Sequence, residues 1–551
     1  MKTFIKENKA PLLVLLAGWL NAIVYAIVKG RTLMNSDVSS EFVLANLLNK
    51  EGGILSKNWY YSTELRVIHT QLVYKIALRL FPNNWDAARV FSVAVFMAII
   101  AAGALYLIWA ARLNRKALWW AAILMFPFSK WYIYGIVENS VYIPYVSVAL
   151  FACAMILHFI RPGTGKITRI ILLALSSVLA FLSGLAGFRL LEMLYAPFVL
   201  GAFGMGVHLW LKKTGKSDSY SLKQLKNENP QLATLFCLSL FLAIVTFAGV
   251  VINVKIFAYE YSFRNYSGTT WTSLSLNGMI SSFEQLFNIF GWQTGAYLAG
   301  PASIVNFLVT VFIPVMVVTI IKTIRRYGEH SLSEQFLIAF TLSMFVINLL
   351  VLSSSTQTSY SLYWLPLVPW LLLLMFIGIG KKTISPLRMK RQITAIIAFF
   401  VLCSLSSMKN PYIDSEFLSG TLDSRTVQPT IDWLDENGYT QGYASFWNCN
   451  VTTALSSGRI EMWSVSDFNT LAPNLEWLEE KQHDTEQPEG SFFIILNENE
   501  SGTGGRDPSD TGLQSLIGNS QYMVHEDADN KVYVFAFESM DQFHAVMEML
   551  D

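Results

Sequence analysis

Charge is scarce in this chain, as are cysteine and the short motifs of phosphate and metal chemistry. Only 14% of its 551 residues are Asp, Glu, Lys or Arg, against roughly 25% in an ordinary water-soluble domain. Four cysteines exclude a disulfide scaffold: Cys153, Cys237 and Cys403 lie in apolar runs, and Cys449 stands alone in the C-terminal region. No GxxxxGK[ST], HExxH or CxxC pattern occurs, which argues against a nucleotide-driven or zinc-hydrolase site on these motifs. Internal repeats and low-complexity tracts are missing too, and no nucleic-acid partner is expected.

What the chain has instead is apolar length. Hydrophobic residues make up 53%. Runs able to cross a bilayer core of about 30 Å fall near 11–28, 87–111, 117–137, 140–160, 167–186, 193–211, 231–257, 303–321, 335–353, 360–380 and 392–408. These predict a polytopic α-helical membrane protein with about eleven transmembrane helices. The basic start and apolar stretch of residues 1–28 are read as a retained first span, not a cleaved leader.

The net charge of +1 hides a partition. From Tyr412 onward there are 25 acidic against 5 basic residues, so the first 411 residues hold 14 against 35. Lys and Arg crowd alternate connections: Lys2, Lys6 and Lys9; Arg112, Arg115 and Lys116; Arg161, Lys166 and Arg169. The same set includes Lys212–Lys226, Lys322–Arg326 and Lys381–Arg391, whereas the short connections near Asn139, Gly187 and Ser355 carry Arg189 alone. The positive-inside rule puts the N-terminus in the cytoplasm and the acidic region outside a plasma membrane. Residues 1–410 thus form the membrane domain, with outer loops 29–86 and 258–302, and residues 411–551 a soluble extracytoplasmic domain.

In the first outer loop, Leu65, Ile68, Leu72, Ile76 and Leu80 recur at helical spacing, as in a helix lying on the membrane surface. In the second, Trp271 and Trp292 read as interfacial anchors. The C-terminal region reads as a small α/β domain. Its expected strands are 443–447, 492–496 and 532–537, its expected helices 430–437, 471–481 and 541–550, and 497–511 is expected to be a loop.

Ionisable residues gather at the outer rim. Asp37 and Glu41, four apart, share a helix face and suit a general base or a divalent cation; no other cofactor is implied. Equally, Ser36, Asp37 and Ser39 could cap the helix that follows. Glu64, Arg66 and His69 open the amphipathic segment, where Ser62 or Thr63 could be the cap and Glu64 a first-turn acid. Lys130 sits in an apolar run, where an unpaired charge costs about 2.5–3.5 kcal/mol, unless it snorkels outward. Glu138 lies at an outer turn. Arg189 suits a bidentate grip on phosphate or a local pair with Glu192. Tyr360 and Tyr363 open a span and could be belt residues or ligand contacts.

This arrangement resembles the C-type (GT-C) glycosyltransferase superfamily, many-spanning enzymes that use polyprenyl-phosphate-linked sugars on the outer face. The resemblance covers about residues 10–410. It implies that Asp37 is the catalytic acid after span one, that Glu64 and Glu138 match further acidic positions, and that Arg189 and the Tyr360–Pro366 stretch contact the donor phosphate. Arg66 and Lys130 are further candidates for that phosphate. The adjacent Asp-Glu pair of protein O-mannosyltransferases and the WWD-type motif of oligosaccharyltransferases are absent, so the acceptor stays open among glycan, lipid and protein. The expected function is inverting sugar transfer with a carboxylate base. A flippase of lipid-linked saccharides and a non-catalytic carrier of a binding domain are the alternatives.

Overall fold

The computed structural model describes residues 7–63, 65, 67–138, 141–214, 221–263, 270–293, 298–299, 301–357, 360–381, 386–409, 424–474, 477–498 and 512–550. Among these, ten helices are long and apolar enough to cross a membrane. An eleventh traverse is broken. Residues 117–137, expected as one span, divide into Ala117–Ile123 and, after an irregular stretch, Lys130–Glu138, which ends in a wide π-helical turn. Pro127 explains the break, since it lacks an N–H and disfavours helix in the residue before it. The Tyr132 hydroxyl donates to the Leu124 carbonyl, satisfying a group the break sets free. The segment still runs the length of the bundle. Arg115 pairs with Glu7 at one end, and Glu138 lies beside Gly30 and Arg89 at the other.

The Lys166–Leu185 and Leu191–Thr214 spans are separate. Gly187, at φ +123°, makes the turn between them in a backbone region that side chains rarely occupy. Lys166–Leu185 also meets Pro230–Ile252 backbone to backbone. A Cβ on Gly184 would sit 2.0 Å from the Thr246 carbonyl oxygen, and one on Gly249 2.4 Å from that of Phe181. Only glycine permits that approach, the device of small-residue packing in membranes.

Beyond the first span, Asn35 accepts from the Val38 N–H and caps the Ser36–Glu51 helix, which closes at Gly52. The cap is thus Asn35, not Ser36, Asp37 or Ser39. Strand β1 (Trp59–Tyr61) follows, then the amphipathic helix, which begins only at Gln71 and runs to Leu80. It buries Tyr74, Ala77 and Leu78 and leaves Ile76 and Leu80 each 57% exposed, an apolar face suited to the bilayer surface. The second outer loop supplies strand β2 (Ser262–Phe263) and the Leu276–Ile289 helix.

The C-terminal domain is a mixed sheet. Its strands are β3 (Gln441–Ser445), β4 (Glu461–Asp467), β5 (Ala472–Pro473), β7 (Phe492–Asn497), β8 (Met523–Asp527) and β9 (Val532–Phe537), in the order β5-β4-β3-β7-β9-β8. β4, β3 and β7 are parallel; β9 and β8 add on antiparallel. The Ser424–Glu436 and Met540–Leu550 helices match expectation in place. Three features differ. The first strand ends at Ser445, because Phe446–Leu455 is a buried helix. The described part of residues 471–481, expected as a helix, holds β5, the two-residue β6 (Glu479–Glu480) and the start of a 3-10 turn at Lys481, since tertiary pairing overrides the local pattern there. Strands β4 and β8 were not anticipated. The boundary near 410 and most of the 497–511 loop lie outside the described residues.

This domain packs on the end of the bundle opposite the Glu7–Arg115 pair. Ser36 donates to the Phe446 carbonyl, Arg31 bonds Gln428 at 2.8 Å and pairs with Asp432 at 3.3 Å, and the Trp85 N–H donates to Ser457. A second sheet sews three regions together. β1 pairs parallel with β2 and antiparallel with β6, so the two long loops and the C-terminal domain share one ladder.

Candidate functional site

A cavity of about 190 Å³ opens where these regions meet. The first outer loop contributes Asp37, Ser62, Thr63 and His69. Spans contribute Tyr134, Tyr142, Tyr145, Arg189, Tyr360 and Tyr363, and the soluble domain contributes Trp477 and Leu478. The structure therefore gathers five residues singled out in the sequence, Asp37, His69, Arg189, Tyr360 and Tyr363.

Each is placed by its element. Asp37 rides the first turn of the Ser36–Glu51 helix, whose N-terminus favours a negative charge. One turn on, Glu41 is fully buried and accepts from the Thr70 hydroxyl at 2.8 Å. The His69 Nδ1 lies 3.4 Å from the same carboxylate and 2.8 Å from Thr70 Oγ1, so Glu41 orients the imidazole that lines the cavity. Arg189 follows the Gly187 turn, and its guanidinium carbon lies over three rings: Tyr363 at 5.0 Å, Tyr145 at 5.2 Å and Tyr142 at 6.0 Å. Cation–π contacts hold the plane of the guanidinium while consuming none of its N–H donors. Tyr142 and Tyr145 stand on one face at the start of the Ile143–Ile160 helix. Tyr360 lies within electrostatic reach of both Asp37 and Arg189. It precedes the tight Ser361–Leu367 turn, which Ser361 fastens to Gln285 at 2.6 Å.

Lys130 is not among the cavity residues. Its ammonium lies 5.3 Å from the Trp131 ring centre, and Trp131 meets Tyr360 at 6.1 Å. Glu64 and Arg66 lie outside the described residues. Glu138 is not among the cavity residues. Its carboxylate, 1% exposed, meets the Arg89 guanidinium, 3% exposed, at 3.3 Å. From there Asp86, 3.9 Å from Arg89 and 3.3 Å from Arg31, carries alternating charge toward Asp432 of the soluble domain. Among the described residues, no three of His, Cys, Asp and Glu converge as a metal site.

Removing one partner of a buried pair strands the other. Arg89→Leu should therefore destabilise the protein by about 3–5 kcal/mol, read as a lowered Tm in detergent. Replacing Arg89 and Glu138 together by leucine should recover most of that loss. A double variant no more stable than the single one would show that the pair is not the source.

Sequence reasoning missed Tyr134, Tyr142, Tyr145 and Trp477. The tyrosines carried a signal, since three of them fall within twelve residues around Glu138, but interfacial belts look the same.

No protein-family model and no curated protein sequence matches the chain. Solved structures do. ArnT from Cupriavidus metallidurans bound to undecaprenyl phosphate aligns with TM-score 0.57 and 11% identity, over 97% of this chain and 98% of that one. Its apo state aligns with TM-score 0.53 and 10% identity, over 95% and 98%. At such identity the likeness is one of fold, and it extends through the C-terminal domain. The chain has the polytopic helical fold of these ArnT structures, with the C-terminal mixed sheet region included.

Proposed function

We propose that this protein is a membrane glycosyltransferase that moves a sugar from a polyprenyl-phosphate donor to an acceptor. One observation carries the reading: an acid on a helix N-terminus and an arginine caged by tyrosines line one cavity at the rim of the bundle. The ArnT-like fold, with undecaprenyl phosphate bound in that relative, supports it.

In this reading Arg189, with Tyr360 beside it, holds the donor phosphate at the membrane edge. Asp37 removes the proton from the acceptor hydroxyl as its oxygen attacks the anomeric carbon. The bond from that carbon to the phosphate oxygen breaks, the configuration inverts, and polyprenyl phosphate leaves with its negative charge on Arg189. Glu41 keeps His69 oriented, Lys130 adds positive potential behind Trp131, and Glu138 serves the Arg89 pair. Glu64 and Arg66 remain candidates in the same loop. The charge partition supports a cytoplasmic N-terminus and an outward-facing cavity and soluble domain.

The test is turnover. Full-length protein in nanodiscs, given polyprenyl-phosphate sugars and cell-envelope acceptor fractions, should release polyprenyl phosphate as labelled sugar appears in the acceptor. Intact donor in every combination, together with movement of labelled lipid between leaflets in proteoliposomes, would replace this reading with a lipid-linked saccharide transporter.

A further inference from the structure

We infer that Trp477 of the soluble domain is the face on which the donor's sugar ring stacks, so that the C-terminal domain reads the sugar. The inference rests on the glycosyltransferase reading and goes beyond it.

Three observations converge. First, among the described residues, the soluble domain reaches the cavity only through Trp477 and Leu478; every other lining residue comes from the spans or the first outer loop. Second, that segment is built into place. The Asn450 side chain donates to the Leu478 carbonyl at 2.9 Å, and the Leu478 N–H donates to the Tyr60 carbonyl at 2.8 Å. The Lys481 N–H bonds the Asn58 carbonyl at 2.9 Å, and the β1–β6 register pins Glu479 and Glu480. Asn450 belongs to the buried Phe446–Leu455 helix, itself fastened to the helix of Asp37 through Ser36. Bonds from Leu478 to both the Phe446–Leu455 helix and β1 thus anchor the backbone beside the indole, two residues ahead of β6.

Third, the division of labour is chemical. Arg189 and its tyrosines rise from span ends, where a lipid phosphate arrives, while Trp477 comes from the domain packed over those ends. A pyranose held between them presents polar hydroxyls at its rim and a face of C–H groups. Aromatic rings bind such a face through apolar area and dispersion. Asp37 and His69 occupy the first-loop wall of the same cavity, where hydroxyl chemistry takes place. Trp477 is accordingly a specificity residue and takes no proton.

The experiment compares two lipids on full-length protein in nanodiscs: polyprenyl phosphate alone and the same lipid carrying a sugar, across a panel of pyranoses. Wild-type protein should bind one sugar-linked lipid more tightly than the bare lipid. Trp477→Ala should lose about 5–10-fold of that increment, the worth of one stacked ring, with bare-lipid affinity unchanged. Trp477→Phe should keep most of it. If the increment survives in Trp477→Ala, or both lipids weaken alike, the stacking role is overturned while the donor reading stands. If wild-type protein binds neither lipid, the donor reading fails and this inference with it.

Discussion

Asp37→Asn should lower sugar transfer by about 10²–10⁴-fold, the usual contribution of a general base, while leaving the protein folded and inserted. The structure sharpens this test, because Asn35 and not Asp37 supplies the helix cap. Replacing Asp37 removes no capping bond, and the interaction of its first-turn charge with the helix dipole is worth only about 0.3–1 kcal/mol. An isosteric amide keeps the volume and cannot accept the acceptor's proton. Turnover and Tm are measured on one preparation. Near-normal turnover would move the base to His69, held by Glu41, or to Glu64.

Arg189→Met should cost about 10²–10³-fold in kcat/KM, the scale of losing one charge-stabilising donor group, and should weaken binding of bare polyprenyl phosphate. Arg189→Lys should restore little. A compact ammonium does not present a planar fork to phosphate oxygens. Lys130→Met should have the smaller effect, because Lys130 is not among the residues that line the cavity. If Arg189→Met binds the bare lipid as tightly as wild type, the phosphate lies elsewhere and Lys130 becomes the next candidate.

Much of the membrane domain was legible because bilayer thickness is a strong physical constraint on the length of apolar runs. The broken traverse was harder to read. Residues 117–137 are apolar throughout their first part, and one proline at 127 decides the local geometry that hydropathy averages away. At the site, Asp37, His69, Arg189, Tyr360 and Tyr363 were visible as polar or aromatic residues at a predicted rim. Glu138 was visible for the same reason, yet burial against Arg89 gives it a different partner. Trp477 was invisible. Residues 471–481 carry a helix-like pattern, and what makes Glu479 and Glu480 strand is pairing with β1, more than four hundred residues away in sequence.

That long-range ladder has a consequence for biogenesis. In synthesis, β6 and the wall residues Trp477 and Leu478 emerge more than four hundred residues after β1. While the spans are being inserted, Asp37 and Arg189 can be in place but the cavity lacks one side. If the proposed function holds, a nascent protein whose β6 has not yet paired with β1 lacks one wall of its cavity and is expected to transfer no sugar.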